Sequence, residues 1–126
     1  MKLTLKDRVL ILNSILPQFD TMANMKLKIH ISEKVKITPD EQSNIVMKDA
    51  GQGQIEIGFK TIDAQSKERE FEMSNEELIY LKSRVEFIDR NGMISAETID
   101  SYSKIMDEPL EQEANIVEEN YPEIQE

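Results

Sequence analysis

The residues most suggestive of chemistry are Asp89-Arg90-Asn91-Gly92-Met93-Ile94-Ser95, which set an acid, an amide, a glycine and an isoleucine in the order found inside a calcium-binding loop. With Gly92 in the sixth place, the first ligand falls on Phe87 and the twelfth, where a bidentate carboxylate belongs, on Thr98. A hard cation would lack both terminal carboxylates, so the stretch is expected to stop one helix and start another, and no metal ligand is assigned. Nucleophilic catalysis has a single possible pivot in His30, the only histidine, and the absence of cysteine removes thiol nucleophiles, disulfides and thiolate metal sites. His30 sits among Lys28, Ile31 and Lys34, where a half-exposed imidazole is the expectation. Gly51-Gln52-Gly53 lacks the Lys-Ser/Thr of a phosphate loop and the third glycine of a dinucleotide fingerprint, leaving a hairpin turn. Glu70 and Glu72 could share acid–base work, but their spacing places them on the wet side of a strand. No catalytic, cofactor-binding or metal residue is assigned, and a non-enzymatic protein is expected.

The elements that would position these residues are legible as local signals. Thr4 caps a helix in which Leu5, Val9, Leu12 and Leu16 recur at helical spacing, with Ile11 and Ile15 widening the stripe and Pro17 ending it. Between Asp20 and Thr38 the signals conflict. Met25, Leu27, Ile29, Ile31, Val35 and Ile37 alternate with lysines and His30 as in a strand, whereas the possible cap at Asp20, the helix-forming lysines and the lack of Gly or Pro favour a helix. Thr38-Pro39-Asp40-Glu41 starts a short helix or turn. Strands are expected at Ile45-Val46-Met47-Lys48 and around Ile55, Ile57 and Phe59, with a turn at Asp49 to Gly53 between them. A second turn at Asp63 to Ser66 leads to Glu70-Phe71-Glu72-Met73, completing a small antiparallel meander.

Ser74-Asn75-Glu76-Glu77 forms a capping box, and the helix behind it carries Leu78, Leu81, Val85 and Ile88 on one face. Asn91-Gly92 ends that helix, and Ser95 caps another bearing Ile99, Tyr102 and Met106. The pair should form an antiparallel helical hairpin over residues 75–106, burying Leu78, Leu81, Val85, Ile88, Ile99 and Tyr102. The fold class is therefore α+β: N-terminal helices, the meander, the hairpin and an acidic tail. Residues 1–106 make one compact domain, and 107–126 the tail.

Charge is polarised along this frame. Residues 1–37 carry seven bases and three acids, residues 38–106 eight and fourteen, and residues 107–126 no bases and eight acids, giving +4, −6 and −8 of a total −10. The N-terminal bases Lys2, Lys6, Arg8, Lys26, Lys28, Lys34 and Lys36 lack the larger excess and interleaved aromatics of a nucleic-acid binder, and a solvated face is the alternative. No run approaches the roughly 20 apolar residues of a membrane span, and Met1-Lys2 leads into an amphipathic stretch instead of a signal peptide. A cytoplasmic protein with no membrane partner is expected.

The order of elements resembles small bacteriophage and prophage proteins of unknown function. The residues that carry the resemblance are Met1-Lys2-Leu3-Thr4 with Asn13-Ser14-Ile15-Leu16-Pro17, Ile37-Thr38-Pro39-Asp40-Glu41, the hairpin with Gly51 and Gly53, and Asp89 to Ser95. It covers most of residues 1–106 and leaves the tail unmatched, and this chain lacks the tryptophan often seen in the family's central hairpin. The resemblance implies a helix after Pro17 and a bacterial host cytoplasm. It brings no activity or site residues.

What remains is binding. In the tail, Asp107 and Pro109 can start a helix, and Leu110, Ala114, Val117, Tyr121 and Ile124 follow at spacings of four, three, four and three, up to the break imposed by Pro122. The spacing predicts a helix over 108–121 that lays Leu110, Val117 and Tyr121 on an apolar surface, with its carboxylates facing Lys26, Lys28, Lys34 and Lys36. A disordered acidic end is the competing expectation. The function expected is protein–protein binding or self-assembly by a phage or prophage accessory protein. The alternative is an acidic inhibitor that imitates nucleic acid and blocks a host nucleic-acid-binding protein. A small hydrolase would require His30 beside a hydroxyl and an acid.

Overall fold

The computed structural model describes residues 1–51 and 54–110, with Ala50, Gln54 and Ile55 described by their backbone alone. The elements run β1 (Lys2–Thr4), α1 (Leu5–Leu10), a π-helical turn (Ile11–Ile15), α2 (Met22–Val35), α3 (Pro39–Gln42), β2 (Ile45–Gly51), β3 (Gln54–Phe59), α4 (Ile62–Ser66), β4 (Glu68–Glu70), α5 (Asn75–Arg90) and α6 (Ile99–Asp107). The fold is α+β, as the sequence implies.

Helix starts follow their caps. The Thr4, Thr38 and Ser74 hydroxyls each accept from the amide three residues on, and Asp7, Glu41 and Glu77 reach back to the cap amides, giving three complete capping boxes. Helix α2 is capped by Thr21, not Asp20, whose carboxylate instead accepts from the Thr21 amide and the Asn24 side chain. Helix α2 also settles the conflict over residues 20–38. Leu27, Ile31 and Val35 lie four apart on the inner face, while Met22 and Ile29 lie on the outer one, so the period-two pattern arises from apolar residues on both sides of a helix. Helix α5 ends in a Schellman motif: Met93 N–H donates to Ile88 O at 3.1 Å and Gly92 N–H to Asp89 O at 2.9 Å. Gly92 holds φ at 65°, which a side chain with a Cβ rarely tolerates.

The meander is corrected. The third strand does not join the hairpin; β4 pairs antiparallel with β1, Lys2 opposite Glu70 and Thr4 opposite Glu68, in a separate two-stranded sheet. The Phe71 N–H extends this pairing by donating to Met1 O at 2.8 Å, and Phe71 is buried. Strands β2 and β3 form the second sheet with Ile45 opposite Phe59 and Met47 opposite Ile57. β2 runs further than expected, through an irregularity after Asp49 to Gly51 at φ 84°, and the Asp63 to Ser66 turn belongs to α4.

Two apolar clusters meet at α1. Leu10, Ile11 and Ile15 join Leu3, Ile31, Val35, Phe71, Leu81, Val85, Ile88, Tyr102 and Ile105 in the main core, while Leu5 and Val9 pack with Ile45 and the half-buried Ile37, Ile57 and Phe59 under the hairpin. Leu78, Leu81, Val85, Ile88 and Tyr102 are buried as expected, but Ile99 is 50% exposed. Helix α6 starts at Ile99, later than Ser95, and turns Ser101, Tyr102 and Ile105 inward. At 100° per residue this leaves Ile99 about a third of a turn from the inner face. The Lys82 amine donates to Ile105 O and Met106 O, so the end of α6 lies against the middle of α5. Residues 108–110 are not helical, and the rest of the tail expectation, including Val117 and Tyr121, lies outside the described residues. Among the described residues, no helix is long and apolar enough to cross a membrane.

Candidate functional site

Adjacent residues on α1 anchor two charge clusters. Arg8, grouped by the sequence with a solvated basic face, is 2% exposed. Its guanidinium donates to Val35 O at 3.2 Å, Lys36 O at 2.5 Å and both carboxylate oxygens of Glu41 at 2.5 and 3.0 Å. It also sits 5.0 Å from the centroid of the Phe71 ring, with Arg69 at 5.2 Å. The guanidinium fork suits this arrangement because it satisfies a carboxylate and two helix-end carbonyls at once. The Arg8 hydrogen bonds, opposed by burial and helped by the Thr38 amide, bring the Glu41 carboxyl down to about 2.

Asp7 turns toward α6. It accepts from Ser101 Oγ and Lys104 Nζ, both at 2.5 Å, and from the Thr4 amide at 2.9 Å, while Lys104 also reaches Glu68 at 3.0 Å. Burial pushes the Asp7 carboxyl up, but these donors together hold it below its ordinary value. Burial likewise opposes the Lys104 charge, yet Asp7 and Glu68 raise its pKa. Ser101 and Lys104 have the spacing of a serine–lysine nucleophile pair, which sequence reasoning passed over. Here the lysine is kept charged and the buried serine donates its proton to Asp7, so neither group is poised as base or nucleophile.

A cleft of about 220 Å³ opens beside the Arg8 cluster, with Arg8, Glu41, Asp63, Lys67 and Arg69 among its lining. Arg8 and Glu41 spend their hydrogen-bonding capacity on each other and the backbone, and Arg69 also donates to Glu41 at 3.3 Å. The charges left facing the cleft are of both signs. Among the described residues no buried side-chain polar atom lacks a partner, and no cluster of three or more metal-ligating groups occurs. The Asp89 to Ser95 stretch is the helix end described above, with the Asn91 amide donating to Phe87 O.

The outer face of α2 differs in that, among the described residues, it is left exposed. Met22 and Ile29, seven residues apart and opposite the buried Ile31, are 79% and 54% exposed, and Phe19 just before the helix is 81% exposed. The preceding loop is held to α5, since Tyr80 Oη donates to Asp20 at 2.8 Å and Arg84 Nε to Ile15 O at 3.1 Å. Burial and Asp20 together push the Tyr80 phenol up to about 12. Helix α2 carries Lys26, Lys28, Lys34 and His30 against one acid, Glu33. Lys26 is exposed, Lys28 half-buried, and Lys36 lies 3.7 Å from Glu33. Lys34 departs from the expected free set, bridging Glu77 at 2.6 Å, where burial opposes but Lys34 and Ser74 prevail in keeping the carboxyl low. Leu110 is half-buried, and His30 is exposed on α2. The structure thus places Lys26 and Lys28 beside an apolar patch of Phe19, Met22 and Ile29 that sequence reasoning missed, although the seven-residue step was visible.

No family model matches the chain, and no curated protein or solved structure matches it either.

Proposed function

We propose that the chain is a non-enzymatic protein-binding module that contacts its partner, another protein or a copy of itself, through the outer face of α2. The observation that carries this reading is the pair Met22 and Ile29 on the face opposite buried Ile31, with exposed Phe19 adjoining and lysines around it. Large apolar side chains concentrated on one helix face favour a partner helix or groove, and surrounding charges set its orientation. A phage or prophage accessory role rests on the sequence resemblance alone. The reading as a nucleic-acid mimic has less support at Asp7, Glu41 and Glu77, whose carboxylates are turned inward into ion pairs and so are not offered to a partner.

The test is a photo-crosslinking residue placed at position 29, with position 86 on α5 as the exposed control. A discrete intermolecular adduct from position 29 alone, of dimer mass or joined to one other protein, is the expected result in bacterial cells. Equal adducts from both positions, or none from position 29, would sink the proposal.

A further inference from the structure

We infer that the cleft beside the Arg8 cluster binds a small zwitterion with an apolar body, of which a free aliphatic α-amino acid is the simplest case. The site is independent of the α2 face, since none of its lining residues lies on α2. Its parts come from distant stretches of chain: Leu3 and Leu5 at the join of β1 and α1, Asn44 after α3, Asp63 on α4, Lys67 just after it and Arg69 on β4. The β1–β4 pairing sets Leu3 opposite Arg69, so their side chains share one face of that sheet.

The charges at the cleft are arranged to be used by something else. Asp63 and Lys67 stand four residues apart, a spacing at which opposite charges on a helix usually meet. Helix α4 stops at Ser66, however, and among the described residues neither side chain joins an ion pair. Arg69 is fixed from two sides, lying 5.2 Å from the Phe71 centroid and donating to Glu41 at 3.3 Å, and that bond uses only one of the five N–H donors of a guanidinium. Arg8 is closed off by Glu41 and two carbonyls, so it takes no ligand and instead cancels the Glu41 charge. Two cations and one acid remain. A carboxylate suits Lys67 and Arg69, and an ammonium suits Asp63. A simple anion would face Asp63 and a simple cation would face two bases, so a ligand carrying both signs is the one that fits.

Size and floor narrow the class further. A cavity of roughly 150 Å³ holds benzene, with its six carbons, so about 220 Å³ admits roughly nine non-hydrogen atoms. Leucine has that many. Leu3, Leu5 and Ala64 line the same cleft and offer its side chain an apolar wall, while the half-buried Asn44 adds an amide for orientation.

The test titrates the isotope-labelled full chain with L-leucine to about 20 mM, beyond the Kd of a nine-atom ligand of ordinary efficiency. Saturable shifts are expected at the amides of residue 44 and residues 63–69. In parallel, 4-methylpentanoic acid removes the amine and leucinamide removes the carboxylate, and each should bind at least about tenfold more weakly, as expected when one charged contact is lost. Asp63→Asn and Lys67→Gln, both at exposed positions, should weaken leucine to a similar degree with the unliganded spectrum otherwise unchanged. The absence of saturable shifts would overturn the inference. So would 4-methylpentanoate binding as tightly as leucine, which would make this a plain anion site, or leucine binding undiminished in both variants. The analogues are read on the parent chain, so they decide the matter even where a variant misfolds.

Discussion

Glu41→Gln removes one charge from the Arg8 cluster while keeping nearly the same shape. A carboxyl whose pKa falls from an ordinary 4.5 to about 2 on folding would contribute about 3 kcal/mol at neutral pH, at about 1.4 kcal/mol per unit. Its side chain is 23% exposed, so water screens part of the interaction, and a discounted loss of about 1 to 3 kcal/mol is expected. Arg8 keeps the Val35 and Lys36 carbonyls, which holds the loss below that of a fully orphaned buried charge. The sign follows from the depressed pKa. The stabilisation is complete above about 4.5, declines as pH falls, and is gone below about 2. Urea denaturation of both proteins at pH 7, 4 and 3 should show a lower midpoint for the variant at neutral pH, an unchanged slope, and a gap that narrows with acid. A gap as wide at pH 3 as at pH 7 would refute the electrostatic account, leaving the cap geometry as the cause. No gap at pH 7 would show that the carbonyls alone satisfy Arg8.

Leu81→Ala, at a fully buried position in the main core, should destabilise by about 2 to 5 kcal/mol, and a parental melting temperature would remove α5 from the core. Ser74→Ala should lose about 0.5 to 2 kcal/mol through the α5 cap, read as a denaturation midpoint that shifts at constant slope. Lys104→Met leaves the buried Asp7 carboxylate with Ser101 and the Thr4 amide only, and should destabilise by about 1 to 3 kcal/mol at pH 7. Because the Asp7 carboxyl is held low in the parent, that loss should shrink as acid protonates it; a loss constant from pH 7 to pH 3 would point to packing instead.

Local signals carried much of the architecture. The caps at Thr4, Thr38 and Ser74, the stop at Asn91-Gly92 and the apolar stripe of α5 are short-range, and each stands where its residues imply. Strand pairing was not legible, because β1 and β4 are three residues long and carry no alternation strong enough to name a partner across more than 60 residues. The burial of Arg8 was hidden for a related reason. An arginine beside lysines looks solvated until Glu41 and two carbonyls are brought round it, and those contacts exist only in three dimensions. For α2, alternation suggested a strand because the helix presents apolar residues outward as well as inward. That outward excess is also what marks the candidate binding face.

Asp7 and Arg8 are chain neighbours, but their partners are made at very different times. Glu41 follows Arg8 by 33 residues, whereas Ser101 and Lys104 follow Asp7 by 94 and 97. At synthesis rates of ~5 to 20 residues per second, Asp7 waits for Lys104 for roughly 5 to 20 seconds. During that interval a seated α1 would bury a carboxylate whose long-range donors do not yet exist, a penalty of several kcal/mol. Helix α1 therefore precedes the long-range partners of Asp7 in synthesis by more than 90 residues, and it locks only once α6 is made.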